Sequence, residues 1–194
     1  MKERPILFSG PMVRAILDGK KTQTRRVVKS RLTKLVDEVF RVNGHWTWDT
    51  TDYDFRPLSP YGAPGDRLWV RETFTRHEDE SGFGSGVTLY RADMKDCEIA
   101  WTWTPSIFMP RHASRITLEV NAVRVERLHD ISHEECIKEG MTSDDNGWWG
   151  APGGSRGLLC TDPKYAYKEV WDSINGKDAW KQNPWVWVIE FKRI

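Results

Sequence analysis

At 194 residues the chain can close one good-sized core, or one domain carrying a long insertion. Charged residues make up 29% of it, yet the formal net charge is only +1, so no global field draws it to nucleic acid or membrane and any basic surface must be local. Three cysteines (Cys97, Cys136, Cys160) without a CxxC pair argue against a disulfide framework or zinc site, and no apolar run is long enough for a bilayer span or a signal-peptide core, so a soluble cytoplasmic protein is expected.

The first expected element is a strand over residues 6 to 9. A helix follows over 11 to 18, with Pro11 in its first turn and Gly19 as its left-handed stop. Residues 22 to 28 read as a second strand, alternating Thr22, Thr24, Arg26 and Val28 against Gln23, Arg25 and Val27. Further strands are expected over 35 to 42, 45 to 49, 67 to 73, 87 to 91, 115 to 127 and 185 to 192. Ser132 and Glu135 form a capping box for a helix running to about Glu139, with Gly140 ending it. Asp162-Pro163 opens another, whose Tyr167, Val170, Trp171 and Ile174 recur at helical spacing before Gly176. Glycine and proline mark loops at 57 to 65, 82 to 86 and 147 to 157, the last read as a lid over a site. The pattern is β-rich α+β, and a small β-barrel with peripheral helices fits it better than alternating βαβ units.

Chemistry concentrates where the first helix meets the second strand, in Gly19-Lys20-Lys21-Thr22-Gln23-Thr24-Arg25-Arg26. Strand alternation puts Thr24 and Arg26 on one face, with Lys21 at the corner free to swing towards it. A lysine partly desolvated beside other cations has a lowered pKa and, when neutral, can take a proton from a threonine hydroxyl. Thr24 is therefore a candidate nucleophile.

Eleven tryptophans are the other oddity. Trp46/Trp48, Trp101/Trp103 and Trp185/Trp187 each place two rings on one strand face, chiefly as core, while Trp101/Trp103 or Trp148/Trp149 are better placed to stack on a nucleobase. Glu72 is a candidate for orienting Lys21 or Arg26, or for an ordinary ion pair. Arg111 and Arg115 are candidates for holding a phosphate or for closing the structure through carbonyl contacts. His112, His129 and His133 are read as surface or capping residues, and neither metal nor cofactor is expected.

Several segments together resemble one family, the ASCH domain, a relative of the PUA-like RNA-binding barrels. They are Ile6-Leu7-Phe8-Ser9 with its helix, the Lys21 turn, Pro64-Gly65-Asp66-Arg67-Leu68-Trp69-Val70-Arg71-Glu72, and Val186-Trp187-Val188-Ile189-Glu190-Phe191. Met109-Pro110-Arg111-His112-Ala113-Ser114-Arg115-Ile116, and Leu128-His129-Asp130-Ile131-Ser132 with Glu139-Gly140-Met141, look like the larger bacterial and prophage-borne members. The resemblance covers most of the chain. It implies a single domain over 1 to 194, with extra material at about 30 to 60, 75 to 112 and 143 to 160, and a β-barrel with a cleft near its first helix.

Some ASCH proteins are small amidohydrolases that remove the acyl group from N4-acetylcytidine and related nucleosides. They use a lysine and a threonine in a Lys-Thr-x-Thr turn plus a glutamate on a later helix. Lys21 and Thr24 match that turn, Glu139 is the best match for the glutamate, and Arg26 occupies the arginine position. The implied division of labour is Lys21 as base, Thr24 as nucleophile, Glu139 as proton donor to the leaving amine, and Arg26 or a backbone N–H at the oxyanion. Other family members are described as nucleic-acid binders or ribonucleases. In that reading Lys20, Lys21, Arg25, Arg26, Arg111 and Arg115 would contact phosphates, and Lys21 with Glu139 would supply a ribonuclease's acid and base.

Overall fold

The computed structural model describes residues 1 to 29, 32 to 34, 36, 59 to 77, 86 to 94, 102 to 151 and 160 to 194. Its spine is a pair of long antiparallel strands, β6 (Thr117–Arg127) and β9 (Trp185–Arg193), in register from Leu118 opposite Arg193 to Arg127 opposite Trp185, with a bulge between Val120 and Ala122. From Trp185 to Ile189 every residue of β9 is buried, which is why this strand reads as an unbroken apolar run rather than as alternation. Trp185 and Trp187 both lie in the core.

Around that pair the sheet has the order β1-β3-β6-β9-β2, with β1 (Glu3–Leu7), β2 (Gln23–Val27) and β3 (Arg67–Arg71). β1 runs parallel to β3 and every other pairing is antiparallel. The fold is thus mixed α+β, built on a five-stranded mixed sheet. β1 and β2 are its two edges, and among the described residues no ladder joins them into a closed barrel. Arg26 spans the gap, donating from Nη2 to the Leu7 carbonyl at 2.6 Å.

Two small antiparallel ribbons complete the strands: β4 (Phe74–His77) with β5 (Val87–Tyr90), and β7 (Thr142–Ser143) with β8 (Trp149–Gly150). β4 is too short and mixed in composition for its sequence to announce it. Of the strand expected over 35 to 42, Val36 alone is described, and it is helical and buried. The strand expected over 45 to 49 and most of the two glycine-rich loops at 82 to 86 and 147 to 157 lie outside the described residues.

The helices follow their end signals. α1 (Gly10–Leu17) has proline in its first turn, buries Met12, Val13, Ala15 and Ile16, and gives way to Gly19 at φ 72°. α2 (His133–Lys138) carries both halves of the Ser132/Glu135 capping box and is stopped by Gly140 at φ 99°. In α3 (Pro163–Asn175) the Asp162 carboxylate accepts from the Lys164 N–H at 2.7 Å. No helix among the described residues is long and apolar enough to cross a membrane.

Candidate functional site

Lys21 is placed by backbone bonds at both ends of its turn. After Gly19 the chain keeps bonding back to α1, the N–H groups of Lys20 and Lys21 both donating to the Ala15 carbonyl at 2.9 and 3.0 Å. The Thr22 N–H then donates to Lys138 O at 2.9 Å, which fastens the turn to the end of α2. Glu139 is the C-cap of α2, so residues 118 positions apart in sequence are brought face to face. The Lys21 ammonium donates to Glu139 Oε2 at 2.8 Å and to the Glu139 backbone carbonyl at 2.7 Å, satisfying one of the carbonyls that a helix end leaves without a partner.

A cleft of about 440 Å³ opens over this pair, within the size range of small-molecule sites. Lys21, Thr24, Arg25, Arg26 and Glu139 form its polar floor. Its walls are Leu7 at the end of β1, Phe8 just after it and Met12 on α1, with Tyr167, Val170, Trp171 and Ile174 on α3. The stripe at helical spacing on α3 is therefore shared: Tyr167 and Trp171 are buried, whereas Ile174 is 60% exposed at the cleft.

Burial pushes the Lys21 amine below its ordinary value, as expected from its sequence context, with Arg26 and Arg25 adding to the effect and Glu139 opposing it. Arg25 was the residue that sequence reasoning undervalued. Its side chain is 0% exposed and sits among three carboxylates: Glu139 at 3.2 Å from Nη1, Glu135 at 3.0 Å from Nη2, and Glu126 also at Nη2. Burial opposes its charge, but Glu139, Glu126 and Glu135 outweigh that and hold the guanidinium above its ordinary pKa. Arg124 backs the same carboxylates, pairing with Glu126 at 3.1 Å, with Glu190 at 2.5 Å and with Glu135. The network fixes both ends of the Glu139 carboxylate.

The remaining candidates fall elsewhere. Glu72 is buried but paired with Arg115, at 2.9 Å from Nε and 3.1 Å from Nη2, and Arg115 also binds Asp93 and lies 3.9 Å over the Tyr90 ring. Desolvation raises the Glu72 pKa and Arg115 opposes it. Arg111 pairs with Glu3 at 2.9 Å. Glu72, Arg111 and Arg115 are not among the residues lining this cleft, and all three sit in ion pairs. Trp101 lies outside the described residues.

His129 and His133 stand four apart, but across a capping box rather than along a helix, so they diverge. His129 stacks on Trp180 at 4.8 Å and His133 faces Asp162 at 3.2 Å. Among the described residues no group of three His, Cys, Asp or Glu side chains could hold a metal ion. Comparison of the chain with protein-family models, with curated proteins and with solved structures finds no match.

Proposed function

We propose that this protein is a cytoplasmic, metal-independent amidohydrolase that removes the acyl group from N4-acylated cytidine-type nucleosides, and that its sheet is the described part of an ASCH, PUA-like barrel. One observation carries the reading: Lys21, Thr24 and Glu139 line a single cleft, with the Lys21 ammonium bonded to the Glu139 carboxylate at 2.8 Å. A neutral amine has two N–H bonds, and Glu139 offers an acceptor to each. The amine lone pair is then free for a proton.

In this mechanism Thr24 Oγ bonds to the amide carbonyl carbon while its proton passes to Lys21 Nζ, and the carbonyl π pair moves onto oxygen. Collapse breaks the C–N bond, and the leaving N4 amine takes a proton that Lys21 passes on through Glu139. Water then hydrolyses the Thr24 ester with Lys21 again accepting the proton. The balance is amide plus water to carboxylic acid plus amine. Apolar walls suit a flat base, and the desolvated floor strengthens each polar contact.

The alternative of a nucleic-acid-binding module or ribonuclease needs free cations, and here most are already engaged. Lys21, Arg25, Arg111 and Arg115 sit in ion pairs, and Lys20 lies 3.8 Å from Asp18. The deciding experiment incubates the purified protein, with and without chelator, with N4-acetylcytidine and close N4-acyl analogues. Release of cytidine, indifferent to chelator and nearly so to salt, is expected. A panel left intact at high protein concentration, together with tight, steeply salt-dependent RNA binding, would replace the enzyme by a binder.

A further inference from the structure

We propose that Tyr167 is a further catalytic residue, its phenolic O–H meeting the substrate carbonyl oxygen as that atom becomes an oxyanion. The inference rests on the amidohydrolase reading and names a group that the Lys-Thr-x-Thr turn does not contain.

Tyr167 sits on the second turn of α3, is 4% exposed, and lines the cleft beside Lys21, Thr24 and Glu139. Its ring is braced by Trp171, at 6.2 Å between centroids, and edge-on by Trp180, also at 6.2 Å. Arg25, Arg26 and Glu139 line the same cleft, and their charges act on the Tyr167 phenol, Glu139 opposing its ionisation and the two arginines favouring it.

A buried phenol ordinarily finds a hydrogen-bond partner, yet among the described residues this hydroxyl has none. Nor is it sealed in the core like the neighbouring Trp171 Nε1, which is closed off by protein without a partner. It opens on the cleft. Burial, reinforced by the Glu139 charge, pushes its pKa well above the ordinary value of 10, so the proton stays on oxygen and the group acts as a donor rather than a base.

The competing donor is less free. Arg26 Nη2 is held by the Leu7 carbonyl at 2.6 Å, its guanidinium lies 5.1 Å over Phe8, and its Nε is sealed. In the attack step the Thr24 proton goes to Lys21, the carbonyl π pair moves onto oxygen, and the Tyr167 O–H bond is strengthened as a donor without being broken. Such a contact acts mainly in the transition state.

Tyr167→Phe tests this, because it keeps the ring and both tryptophan contacts and removes one oxygen. With N4-acetylcytidine as substrate, kcat is expected to fall about 10²- to 10³-fold, the cost of one oxyanion donor. KM should stay within about threefold and the shape of the pH profile should not change. A kcat within about threefold of wild type overturns the proposal, as does a loss confined to KM, which would mark a contact to the resting substrate. A displaced Lys21-dependent limb in the pH profile also overturns it, because the hydroxyl would then be positioning Lys21. A wild-type enzyme inactive on every N4-acyl cytidine sinks this proposal together with the functional reading, whereas an active wild type with an unimpaired Tyr167→Phe variant sinks this one alone.

Discussion

Replacing Arg25 by methionine removes the cation that Glu126, Glu135 and Glu139 share while keeping an unbranched side chain in the space. Breaking a buried ion pair from one side costs about 3–5 kcal/mol, most of it from leaving the partner charge uncompensated. Here compensation is partial, since Glu139 keeps Lys21 and both Glu126 and Glu135 keep Arg124. The expected loss is therefore at the lower end, about 3 kcal/mol. At 2–4 °C per kcal/mol for a chain of this size, Tm should drop by about 6–12 °C.

Urea unfolding of wild type and Arg25→Met at pH 7 measures the loss. A loss below about 1 kcal/mol would refute the claim that Arg25 neutralises a largely buried carboxylate cluster.

Thr24→Ala and Lys21→Ala should each abolish turnover, and the double variant should be little worse than either, because groups acting in one step are not additive; multiplicative losses in kcat would argue for separate roles. Since Lys21 must be neutral to act as base and burial lowers its pKa from 10.5, kcat/KM should rise with pH and level off below that value. The same shift makes the fold gain stability as pH rises from the folded Lys21 pKa towards 10.5, because the unfolded chain holds the proton more tightly across that window. Gln23 is wholly buried with neither amide atom partnered, so Gln23→Met should stabilise the protein by about 1–3 kcal/mol in urea unfolding. Cys136 is buried and its thiol is pushed up to about 12, mainly by desolvation, so a thiol reagent should leave it unmodified until the protein unfolds.

What the sequence determined by itself was local in origin. Pro11 and Gly19 bracket α1, the Ser132/Glu135 box opens α2, Asp162-Pro163 opens α3, and the apolar run from Trp185 marks a strand buried on both faces. Each depends on backbone groups within a few residues, so a short window contains the reason. The spacing of Lys21 and Thr24 was legible for the same reason, being one turn of chain between a glycine stop and a strand. Tertiary structure decided the rest. Alternation along β2 separates Thr24 from Arg25, yet both are buried, because α2 and its glutamates cover the face that a period of two would leave to solvent. The apolar period of α3 says which residues leave water, but not that the same stripe also walls a cleft, with Tyr167 belonging to both core and cleft and Ile174 exposed. Whether Arg111 and Arg115 meet a ligand or a carboxylate depended on Glu3, Glu72 and Asp93, which arrive from distant strands and turns. Residue type states what a side chain can do, and only the packing of remote segments settles which partner it meets.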